Sequence, residues 1–232
     1  LTTKDMRNNT MNKPILTITA AVSSLFAVST ASADLQGISI DESLTAYGTT
    51  FSVFASVEEG DQVDAIFGDS VDTLTIGSDN GFYQNMFGSH KAPSEALFGF
   101  FPSLRYDSFV TIGLDTDAGN AMLDIGVDWT IFEGDVISGS HYDGANIETN
   151  NGSWFATPDD AQVFEVDGRV LLGQFTVEFG DHVYGEINIQ GKNADLSNWQ
   201  YRGVTFDSAI VPAPGAIALL GLAGVCVRRR RK

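Results

Sequence analysis

The chain has 232 residues, 30 Asp and Glu against 13 Lys and Arg, a formal net charge of -17 and a single Cys. At 43% hydrophobic and 11% aromatic it can bury a core, which excludes global disorder. The acidic balance excludes the basic footprint that nucleic-acid binding requires, and one Cys excludes a disulfide framework or a Cys-based zinc cluster within the chain.

The charge is unevenly spread. Residues 34–210 hold 5 bases and 29 acids, a net charge of -24, while the bases gather at the two ends. An acidic body of this kind resists aggregation by self-repulsion, and clustered carboxylates are also a route to divalent cations.

At the N-terminal end, Met11-Asn12-Lys13 gives a short positive start and 15–28 is an apolar run interrupted only by Thr and Ser. Ala31-Ser32-Ala33 then precedes Asp34. Positive start, apolar run and small residues in that order predict an export signal, cut by signal peptidase between Ala33 and Asp34. The run has 14 residues, short for a membrane span; a buried N-terminal helix is the competing reading. The ten residues ahead of Met11 are read as lying upstream of the true start.

From 34 to 210 the pattern is that of strands. Alternation with β-branched and aromatic residues predicts strands over 50–57, 62–67, 72–76, 107–114, 121–132, 169–179, 182–190 and 199–206. The pair 169–179 and 182–190 reads as a hairpin around Gly180-Asp181. Segments 78–93 and 138–151, rich in Gly, Asn and Asp, read as long loops, and 94–101 as a short helical turn ending at Pro102. About ten strands without a linker to divide them predict one all-β domain, an antiparallel β-sandwich or jelly roll.

Candidate chemistry in this body is sparse. His90, His141 and His182 are far apart, and no Gly-x-Ser-x-Gly elbow supports a Ser-His-Asp site. Asp115-Thr116-Asp117 opens like a calcium loop, but Gly119 and Gly126 stand where its fifth and twelfth positions need ligands, so Asp115 and Asp117 are weak calcium candidates. No catalytic residue is assigned and no cofactor beyond that calcium is expected. Phe82, Tyr83, Tyr142 and Trp154 fall in or beside the Gly/Asn-rich loops, where exposed rings could stack on sugars. These four are the candidate ligand-facing aromatics; capping the ends of the core is their alternative role.

At the C-terminal end, Val211-Pro212-Ala213-Pro214 is followed by 13 uncharged residues, 215–227, and then by Arg228, Arg229, Arg230, Arg231 and Lys232. The apolar stretch is rich in Gly, Ala and Leu, as closely packing membrane helices are. The basic cluster predicts the cytoplasmic end, which places 34–210 outside.

Proline box, short apolar helix and arginine tail together resemble the PEP-CTERM sorting signal of Gram-negative-type bacteria. The resemblance implies recognition by an exosortase, a membrane transpeptidase-like cysteine enzyme, removal of the helix, and transfer to the cell surface or extracellular matrix. Ala213 departs from the family, which usually has Glu between the prolines. A permanent single-pass anchor is the competing reading of the tail. The stretches 63–69, 81–85 and 107–113 resemble recurrent segments of a class of exported bacterial β-rich proteins, and that resemblance carries no catalytic residue.

Two functions follow as expectations. One is a non-enzymatic surface or matrix protein that passes transiently through the inner membrane and interacts with extracellular polysaccharide. The other is a secreted polysaccharide hydrolase, which needs two carboxylates in one cleft.

Overall fold

Alternation decides the first hairpin. In β2 (Gly48–Ser56), Phe51, Val53 and Ala55 are buried while Ser52, Phe54 and Ser56 are half-exposed, the period-two pattern of a strand with one face on a core. β1 (Gly37–Thr45) pairs along its whole length with β2 and sends Ile38 and Ile40 onto the same core. The turn between them brings Gly48 so close to another strand that a Cβ there would lie 2.0 Å from the Val177 carbonyl oxygen. Its φ of 115° is a second reason for glycine.

The computed structural model describes residues 35–134 and 142–209. The remaining strands are β3 (Gln62–Gly68), β4 (Leu74–Gly77), β5 (Phe109–Val110), β6 (Leu123–Ile125), β7 (Ile147–Thr149), β8 (Gly152–Phe155), β9 (Arg169–Val177), β10 (Tyr184–Lys192) and β11 (Asn198–Asp207). Among the described residues helix is scarce: one short α-helix, α1 (Trp129–Glu133), and three 3-10 turns at Glu95–Leu97, Pro102–Tyr106 and Ala161–Val163. The described residues are all-β, in two antiparallel sheets.

The first sheet runs β1-β2-β9-β5. The second runs β6-β8-β3-β10-β4-β7, with β11 also paired to β10. β3 and β4 lie end to end along one side of β10, opposite 188–192 and 184–186 respectively. β8 and β7 continue the same arrangement outward. The chain between β3 and β4 therefore loops out of a nearly continuous strand. Asn188 holds this loop by donating to the carbonyls of Phe67 (3.0 Å) and Asp72 (2.7 Å), and Arg202 grips Asp69 and Asp72 from β11. Backbone N–H groups of Asp72 and Val71, then Arg202, hold the Asp69 carboxyl below its ordinary value.

Both sheets feed one apolar cluster. Phe51, Val53, Leu172 and Phe175 come from the first, and Val63, Ile66, Leu74, Ile187 and Ile189 from the second.

Several predicted elements change. The chain from β9 to β10 is a crossover between sheets and not a hairpin, because β2 and β5 occupy the two sides of β9 while β3, β4 and β11 occupy those of β10. Segment 107–114 keeps only β5, and 121–132 splits into β6 and α1. Asp128 caps that helix by accepting from the Thr130 N–H, and Gly134 follows its end. β7 lies within the predicted loop 138–151, and β1 and β8 are additional strands.

No helix among the described residues is long and apolar enough to cross a membrane. The signal residues Ala31, Ala33 and Asp34, the proline box Pro212, Ala213 and Pro214, and the basic tail Arg228–Lys232 lie outside the described residues, as does His141.

Candidate functional site

Three of the four candidate aromatics lie in the interior. Phe82 is 0% exposed and Tyr83 and Trp154 are each 1% exposed. Phe82 packs against Phe132 and Phe175, and Trp154 against Trp129, so these rings build the core. This is the core role that the sequence also allowed, and backbone bonds to the distant Gly144 hold Phe82 in it. Tyr142 is half-buried, and its hydroxyl donates to the Tyr47 carbonyl at 2.6 Å, pinning the β1–β2 turn.

Asp115 and Asp117 sit exposed in a turn and belong to no three-donor group among the described residues. The structure instead brings Asp79, Asp181 and His182 together, with one donor atom of each within 4.8 Å of the others. The Asp181 oxygens already accept backbone N–H groups of His182 (2.7 Å) and Asn80 (2.9 Å), so this carboxylate ties two loops together.

His90 lies in a second polar cluster. Its Nδ1 meets Glu133 at 2.6 Å and its Nε2 meets Asp124 at 3.3 Å, while the ring stacks on Trp129 at 4.5 Å and 5°. Lys91 and the Trp129 indole N–H also reach Asp124, at 2.8 and 2.9 Å. Burial alone would raise the Asp124 carboxyl, but these bonds outweigh it and hold it below its ordinary value. With both imidazole nitrogens facing carboxylates and not a hydroxyl, the cluster fastens β6 and α1 to the loop carrying His90.

Near Glu133 lies Asp107, fully buried. Burial pushes its carboxyl up to about 8, against the Asn85 N–H donating at 2.7 Å and with the Glu133 charge adding to the rise.

A polar cleft of about 470 Å³ lies beside β3, β10 and β11. That is within the usual range of ligand pockets, about 300–1,000 Å³. Strand register builds it: Gln190 pairs with Gln200 and Lys192 with Asn198, so four polar side chains alternate onto one face. The intervening Gly191–Trp199 pair also lines the cleft, although Trp199 is largely buried and joins the core. A Cβ at Gly191 would lie 1.9 Å from the Gln62 carbonyl oxygen and 2.5 Å from the Trp199 ring. Asp64 completes the wall from the irregular stretch of the β3–β10 ladder. It is 7% exposed, and its Oδ1 accepts from the Gln62 amide at 2.8 Å. Burial raises the Asp64 carboxyl above its ordinary value, although Gln62 and Lys192 pull it down; Asp159 adds to the rise.

A smaller cleft of about 240 Å³ lies on the first sheet between Phe54 and Phe164. Arg169 covers Phe54 at 4.2 Å and pairs with Asp41 at 2.9 Å.

Sequence reasoning missed the larger cleft. Its readable signal was the pair of triplets Gln190-Gly191-Lys192 and Asn198-Trp199-Gln200, each with polar side chains flanking a core-side position. A search for relatives finds no matching family model, curated protein or solved structure.

Proposed function

We propose that this chain is an exported, non-enzymatic surface or matrix protein whose acidic body, a β-sandwich formed by the two sheets, interacts with extracellular polysaccharide. In this reading signal peptidase removes 1–33, and the apolar helix of 211–232 anchors the chain in the inner membrane until an exosortase-type enzyme acts at Pro212–Pro214. The observation that carries polysaccharide interaction is the open cleft whose lining sets three amides, one carboxylate and one ammonium beside Pro158, Gly191 and Trp199, an array suited to hydroxyl groups. A pull-down of matrix polysaccharide by the full-length chain tests it; retention above that of an unrelated acidic protein is the expected result, and none overturns it.

A second reading, a polysaccharide hydrolase, is favoured by one observation: the Asp64 carboxyl is raised by burial and, further, by the charge of Asp159. A raised carboxyl near a second one is the arrangement of a general acid with its partner. New reducing ends appearing in the same incubations, and lost in Asp64→Asn, would favour the hydrolase over the binding protein.

A further inference from the structure

We propose that the cleft formed by Asp64, Gln190, Lys192, Asn198 and Gln200 is a binding subsite for a neutral, hydroxyl-rich saccharide chain. The inference rests on the polysaccharide reading above and adds the place and the chemical class of the ligand.

Three observations carry it. First, Asp64 is more than nine-tenths buried and lines the cleft, and the Gln62 amide holds its carboxylate by donating to Oδ1 at 2.8 Å. A carboxylate has more lone pairs than that one bond uses, and sugar hydroxyls are donors of the right kind. Second, the amides of Gln190 and Gln200 face each other across the ladder at 3.3 Å, a long contact that leaves further donors and acceptors of both groups unused. An amide presents a donor and an acceptor side by side, which matches two neighbouring hydroxyls. Asn198 and Lys192 repeat this polar pairing one step along the cross-strand ladder.

Third, charge selects against acidic polymers. The cleft's one carboxylate and one ammonium cancel, so the local site rewards no net charge. The surrounding body carries -24 over 34–210, a field that repels a polyanion and is indifferent to a neutral chain. Among the described residues β11 pairs only with β10, so the cleft opens beside a sheet edge, where a long polymer can run past instead of ending.

The experiment uses the full-length chain with soluble β-1,3-glucan, mannan and dextran as neutral probes and alginate as the anionic probe, read by isothermal titration and affinity electrophoresis. Binding of at least one neutral probe is expected, with alginate at least about tenfold weaker. Asp64→Asn, which keeps side-chain size, and Asn198→Ala with Gln200→Ala, the latter two at exposed positions, should each weaken the neutral probe by about tenfold while the protein still melts cooperatively. Neutral binding that survives both changes overturns the placement in this cleft while the polysaccharide reading stands. Binding of alginate alone overturns the neutral class. Binding of none of the four probes, with a matrix pull-down also empty, overturns the polysaccharide reading itself.

Discussion

Asp107 shows what burial does to a single ionisable group. In the unfolded chain its pKa lies near the usual Asp value of about 3.9, and in the folded protein it is about 8. Between these values the folded state holds a proton that the unfolded state has released. Stability contributed by this residue is therefore greatest in acid and falls as pH rises through the window from about 4 to about 8. Asp107→Asn removes the titration while leaving an acceptor for the Asn85 N–H. The variant should melt at a higher temperature than the parent above pH 8, with the gap closing towards pH 4. Parallel melting curves for both proteins across this range would show that Asp107 is not protonated in the fold. This residue was not legible as buried: 107–114 reads as an ordinary strand, and its burial comes from the loop at 85–89, which wraps it so closely that a Cβ on Gly88 would overlap its Oδ2.

Among the elements, the interrupted strand of β3 and β4 depends on Asn188. The side chain is 1% exposed and satisfies the carbonyls of Phe67 and Asp72 while accepting from the Gly203 N–H at 3.0 Å. Asn188→Ala strands three backbone groups at once and should cost about 1–3 kcal/mol or more, read as a lower denaturant midpoint at unchanged slope. Arg202→Ala, on an exposed ion pair, should cost far less, which separates the two anchors of one loop. β2 was readable because its hydrophobic period and its burial coincide, and β9 because it is a nearly continuous apolar run, buried along most of its length. β1 was not, since Asp41 and Glu42 break its pattern on an edge strand where charge is tolerated. The capping Asp128 and the trailing Gly134 were present in the sequence as signals for α1, but the β-branched and aromatic content of 127–132 outweighed them.

For the whole molecule, the acidic body and basic ends are the features that sequence conveys best, because charge and order along the chain need no folding to be read. The cleft was hidden because Asp64 and the 190–200 hairpin meet only through pairing of residues more than a hundred positions apart. The transient-anchor proposal is tested on the C-terminal peptide of protein released to the surface: it should end near Pro212–Pro214. A peptide still ending at Lys232 means a permanent anchor. Replacing Pro212 and Pro214 should leave the chain inserted and uncut, and replacing Arg228–Arg231 with Ser should weaken its retention.

The strand order also sets a schedule. β9 and β10 are interior strands of the two sheets, and they are among the last to be made: Thr50 waits for Thr176, and Ile66 for Ile189. Such distant pairing places folding among the slow β topologies, on the order of milliseconds to seconds. A chain ending at 168 retains only the local β1–β2 hairpin and the outer pairings of β3, β4 and β6, and it should show no cooperative melt. A cooperative transition in that fragment would mean that the first 168 residues hold a core of their own. For a chain threaded N-terminus first through a narrow channel, such lateness is useful. It stays pliable until 169–192 have passed, and rigidity arrives only once the body is through.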